Sequence, residues 1–256
     1  MAPDRFSPLS PDDAAYVWAE VERFEPHWLL VLPYVAEDRR GAWLALLGFF
    51  AEALTIPGRV SNPMLGAIRV AWWREAIGEV YGDGPPRKHP VVTALAASVS
   101  DRSVIRPFLE KALDALAPFL EPGDDHDIDV ALTTRFVLYG AMAGALGELD
   151  GTEASDGEAL AFHALAAIQP DPSAAATAEG PEPIHRRFAR GIAAHPTMQA
   201  DLAERVAAFR QQARRGQPLS AAPFALVRGT KRKVSVAQNP LIQRFLIFRA
   251  VLTGSF

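Results

Sequence analysis

The chain contains no cysteine, which excludes disulfides, thiolate nucleophiles and zinc held by sulfur. It has no G-x-S-x-G, no G-x-x-x-x-G-K-[ST] and no H-E-x-x-H, so the usual signatures of hydrolases, phosphate-cradling loops and zinc proteases are missing. Its histidines, at 27, 89, 126, 163, 185 and 195, include no i,i+4 pair to clamp a metal from one helix face. Charge or glycine interrupts every apolar run short of the ~20 residues a membrane span needs. The opening MAPDRFSPLSPDD lacks the basic-then-apolar order of a signal peptide. The expected location is cytoplasmic.

Acids are missing from two places. Between Arg39 and Gly82 there is no aspartate, and the only glutamates are Glu52, Glu75 and Glu79. After Glu204 there is no acid of either kind, while residues 205–256 carry ten Lys and Arg. The first 204 residues hold the other 16 basic side chains against all 30 acidic ones. The net charge of −4 therefore divides into −14 and +10. A segment charged with one sign points to an anionic partner, or to docking on the chain's own acidic body.

What is present reads as helix. The 256 residues are 49% hydrophobic and 22% charged, sufficient for one large core. SPDDAAYVWAEVERF opens with Ser10 as N-cap and Pro11 in the first helical position. EDRRGAWLALLGFFAEAL is apolar on almost all sides beyond Gly41, as a central buried helix would be. NPMLGAIRVAWWREAIGEVYG starts at an Asn62-Pro63 cap and stops at Gly82. Ile105, Phe108, Leu109, Ala112, Leu113, Leu116 and Leu120 form one stripe, and DIDVALTTRFVLYGAMAGALGEL is a long helix dense in small residues. Further helices are read in DGEALAFHALAAIQ, PIHRRFARGIAAH, TMQADLAERVAAFRQQARRG and NPLIQRFLIFRAVL. Sustained period-two alternation is absent, and VRGTKRKVSVAQ reads as a loop. The expectation is an all-α, single-domain bundle over 1–256, with a mobile Pro- and Ala-rich loop at 170–183.

Candidate sites follow from residue type and spacing. Asp125 and Asp129, within DDHDID, stand at i,i+4, but the cluster opens a helix, where acids cap free N–H groups. Gly140, Gly144 and Gly147 each cost a helix about 1 kcal/mol relative to Ala. Either a neighbouring helix approaches there or a channel opens for an apolar ligand. Trp72 and Trp73 are consecutive, so they point in different directions and at least one is ordinary core. Glu75 and Glu79 share a helix face, and beside Arg74 they read as a solvated pair.

The stretch from Leu29 to Gly84, with HPVVTAL (89–95) and YGAMAGALGEL (139–149), resembles the squalene/phytoene synthase family of head-to-head prenyl transferases. The resemblance implies an isoprenoid-synthase bundle around an apolar cavity, for which Trp72, Trp73, Tyr139, Gly140, Gly144, Gly147 and Gln169 are the lining candidates. It also implies two D-x-x-x-D motifs holding magnesium against substrate diphosphates. Both fail here. The first position reads AEALTIPGR (51–59), where only Glu52 could ligate, and Pro170 halts the helix that would carry the second. No metal site is expected, and Glu52, Glu75 and Glu79 are only remnants. The FFAEALTIPGRVSNPMLGAIRVAWWREAIGEVYGD block is most similar to a non-catalytic branch, typified by a mitochondrial complex I assembly factor related to phytoene synthase. That branch implies an assembly or chaperone factor for a respiratory membrane complex, with a protein partner, an isoprenoid or lipid tail as ligand, and no cofactor or nucleic acid. The alternative is a divergent prenyl transferase using Mg²⁺. The C-terminal helix is expected to dock on the bundle through Leu241, Ile242, Phe245, Leu246, Phe248 and Leu252. Arg228, Lys231, Arg232 and Lys233 would then face an anionic surface, phospholipid or acidic protein, at the inner membrane.

Overall fold

A computed structural model describes residues 6–59, 63–120, 128–152, 219–230, 233–236 and 239–254, with single positions between 197 and 211. The loop at 170–183, Gln169 and the helices read between 153 and 196 lie outside the described residues.

The all-α expectation holds. Helix α1 (Pro11–Phe24) begins where Ser10 accepts a hydrogen bond from the Asp13 amide, with Pro11 at its first position. After the short α2 (Pro26–Leu29) and two single turns, α3 (Arg40–Arg59) runs through the middle of the molecule. Every residue from Gly41 to Ile56 is buried. α1, α5 (Pro90–Val99) and α7 (Ile128–Asp150) pack around it, and α4 (Pro63–Val80) crosses α5 and α6 (Arg106–Asp114). Close approach is achieved with glycine. A Cβ on Gly48 would overlap Val17 of α1, and one on Gly144 would overlap the Phe108 ring of α6. The two ends of the core are joined where Asp150 accepts from Trp43 Nε1 (3.2 Å) and pairs with Arg39 (3.5 Å).

Two expectations for the C-terminal region are corrected. VRGTKRKVSVAQ contains a two-stranded antiparallel ribbon, β1 (Val227–Thr230) and β2 (Lys233–Val236), with Val227 opposite Val236 and Thr230 opposite Lys233. The valines at 227, 234 and 236 favour extended backbone. The sequence pattern is too short and too charged to display that preference.

The second correction concerns helix α8 (Pro240–Thr253), capped by Asn239. It docks through Ile247 and Ala250, with Leu246 and Val251 partly buried, against the segment Leu219–Leu226. The expected stripe faces outward: Leu241, Ile242, Phe245, Phe248 and Leu252 are exposed. Apolar residues occur on nearly every side of this helix, so periodicity could not choose between two stripes. The small Ala250 permits the closer approach.

Candidate functional site

The helix α4 and the loop that follows it carry the densest polar geometry among the described residues. Glu75 and Glu79 do share a face, but their partner is Arg87, which the chain brings back after the turn at Tyr81–Gly82. Arg87 grips Glu79 with both arms of its fork, Nε at 2.9 Å and Nη2 at 2.6 Å, and Nη2 also reaches Glu75 at 3.2 Å. Its backbone amide donates to Glu79 as well, at 2.9 Å. These donors hold the Glu79 carboxyl down at about 2. The guanidinium lies 4.7 Å over the Trp72 ring and donates to the Trp72 carbonyl. Arg74, the neighbour expected from sequence, pairs instead with Asp114 of α6.

Aromatic rings extend this cluster inward. His89 sits edge-on to Trp72, Trp73 and Tyr16, with centroids 5.4, 5.5 and 6.0 Å away. Trp73 is the core member of the pair and meets Phe49 of α3 at 5.3 Å, whereas Trp72 is half-buried. Tyr16 donates its hydroxyl to Glu52 Oε1 at 3.2 Å. Glu52 itself is buried on α3. The structure thus brings Glu75 and Glu79 together on one arginine and assigns Glu52 a separate partner.

The remaining candidates fall elsewhere. Tyr139 is fully buried, donates to Glu25 Oε1 at 3.3 Å and meets the Trp28 ring edge-on. Gly144 is occupied by the contact with Phe108, Gly147 is buried, and the half-buried Gly140 has nothing within 4 Å of where a Cβ would stand. Arg228 lies on β1 and Lys233 on β2; Lys231 and Arg232 are outside the described residues. Asp129 falls in the first turn of α7; Asp125 lies outside the described residues. Sequence reasoning missed Arg87, His89, Tyr16 and Glu25. For Arg87 the available signal was a lone arginine in YGDGPPRKHP just beyond two spaced glutamates. Glu25, a buried acid at the break before Pro26, had none.

Magnesium would require several oxygens aimed at one point. Among the described residues no three His, Cys, Asp or Glu side chains converge. The glutamates that could serve are turned to Arg87 and Tyr16. The described residues do not fit a magnesium–diphosphate centre.

Comparison with known proteins bears on this region. The squalene/phytoene synthase family model matches residues 23–135, from the last turn of α1 into α7. Over that segment the chain is similar to the family. Its matched segment contains Glu52, Glu75, Glu79 and Arg87 together. Among curated proteins it is similar to NADH dehydrogenase (ubiquinone) complex I, assembly factor 6, of Bos taurus, at 33% identity over 85 residues. That alignment covers 33% of this chain and 24% of the relative. The protein of the same name from Mus musculus is 30% identical over 87 residues, covering 34% and 26%. The chain therefore spans about a quarter of the length of these relatives. No solved structure matches it. No helix among the described residues is long and apolar enough to cross a membrane.

Proposed function

We propose that this chain is a non-catalytic member of the squalene/phytoene synthase relatives, acting as an assembly factor for a respiratory membrane complex from the cytoplasmic side. The observation that carries the reading is the fate of the acids. Glu52, at the family's first metal position, is buried with Tyr16 on it, and Glu79 and Glu75 are spent on Arg87. The names of the two assembly-factor relatives support the same direction. The reading requires a protein partner; of the lining candidates for an isoprenoid, Trp73, Tyr139 and Gly144 are packed against other side chains.

Two measurements test it. Incubation with farnesyl or geranylgeranyl diphosphate and magnesium is expected to yield no condensation product. Product formation that Glu52→Gln abolishes would overturn the non-catalytic part. Loss of the chain from its host is expected to lower the amount of assembled NADH dehydrogenase complex on native gels. An unchanged amount would remove the assembly role.

A further inference from the structure

Helix α8 presents an outward face that its fold does not use. Leu241, Phe245, Phe248 and Leu252 recur at i, i+4, i+7 and i+11, which places them in one row along the helix. Their exposures, 75%, 60%, 48% and 73%, are those of side chains in solvent. The row is bordered by exposed Arg244 on one side and Arg249 on the other. The opposite side, Ile247 and Ala250, is committed to the bundle.

We infer that α8 lays this face onto an anionic phospholipid surface. The charge decides the occupant. No acid follows Glu204, so nothing in the C-terminal segment opposes a negative surface, which its ten basic side chains attract. A row of leucines and phenylalanines flanked by arginines suits the boundary between headgroups and acyl chains, the arginines reaching back to phosphate. A second copy of the same face would set Arg244 and Arg249 against arginines of like charge. With 14 residues, α8 is ~21 Å long, short of a ~30 Å hydrocarbon core, so it lies along the surface and does not cross it. This inference is independent of the assembly role, because a prenyl transferase could dock in the same way.

The test is flotation of the full chain with vesicles of phosphatidylcholine containing about a third phosphatidylglycerol. Wild type is expected to float with these, and at least about tenfold less with pure phosphatidylcholine or in ~0.5 M salt. The double change Leu241→Glu and Phe245→Glu is expected to lose binding at least about tenfold. Its melting temperature should hold, since both positions are exposed and Leu241 lies in the first turn, where an acid suits the helix. Phe248→Ser with Leu252→Ser probes the other end of the row and is expected to weaken flotation likewise. Flotation by both variants equal to wild type overturns the inference, as does a wild type that stays at the bottom with every vesicle. Light scattering that shows a dimer split by Leu241→Glu and Phe245→Glu would name a second copy as the occupant and overturn it too.

Discussion

One substitution, made at two positions a turn apart on the same helix, should have opposite effects. At Gly140 an added Cβ meets nothing within 4 Å. Gly140→Ala should therefore collect the ordinary helix preference of alanine, a gain of about 0.5–1 kcal/mol. At Gly144 the same methyl group would overlap the Phe108 ring. There the preference is opposed by overpacking of about 1–3 kcal/mol, leaving a net effect between zero and about 2 kcal/mol destabilising. The two variants should thus differ by about 1–3 kcal/mol. Urea denaturation resolves this as opposite shifts of the midpoint at an unchanged slope. In a thermal melt the separation is some ~2–4 °C per kcal/mol for a chain of this size. Phe108→Leu should also be better tolerated in the Gly144→Ala variant than in wild type, a coupling that a double-mutant cycle measures. If Gly144→Ala stabilised as much as Gly140→Ala, then α6 and α7 would not be in close contact there. The argument that Gly144 serves packing, and not a ligand channel, would fall.

Two further outcomes follow from the polar clusters. Glu79 is held at about 2 against an ordinary 4.5, so its contribution to stability is complete above about pH 4.5 and fades as pH falls toward 2. Denaturation of wild type and Glu79→Gln across that range should show a gap at neutral pH that closes in acid; a gap independent of pH would mean Arg87 does not depend on the ionised carboxylate. Tyr139→Phe removes the hydroxyl that donates to buried Glu25, and should cost about 1–2 kcal/mol in the same assay. An unchanged midpoint would show that this hydrogen bond contributes nothing net.

The helical body was legible because its signals are local or periodic. Ser10 and Pro11 mark the start of α1 through groups within one turn of each other, and the unbroken apolarity of α3 has one physical outcome, complete burial. The stripe through and beside α6 was equally clear: Ile105, Leu109, Ala112, Leu113 and Leu116 are buried, and Phe108 and Leu120 are partly buried. Partnership was not legible where the choice is made by tertiary structure. Glu79 has no basic residue at i±3 or i±4, and the 81–89 loop delivers Arg87, whose fork and ring contact with Trp72 fix the pairing. On α8 two apolar stripes competed, and a docking surface upstream in the chain, Leu219–Leu226, selected the one containing Ala250. A pattern that is apolar all round contains no information about which side is covered.

The carboxylates of α3 and α4 help hold the described elements together. Acids gathered at one point repel one another and need a cation to share them. Here Glu52 of α3 has its own donor, and Glu75 and Glu79 of α4 share one guanidinium. Glu52 receives a hydroxyl from α1, so its bond also ties α1 to α3. Glu79 and Glu75 receive a guanidinium that pins the 81–89 loop over Trp72, and through His89 that loop reaches Trp73 and Phe49 in the core. Each acid thereby serves as a strut between elements. Recruiting Glu79 to a magnesium ion would take from Arg87 the carboxylate that its Nε, Nη2 and backbone amide all reach, and hydrogen bonds to a charged group are costly to give up. The geometry favours carboxylates kept for cohesion between helices and the 81–89 loop.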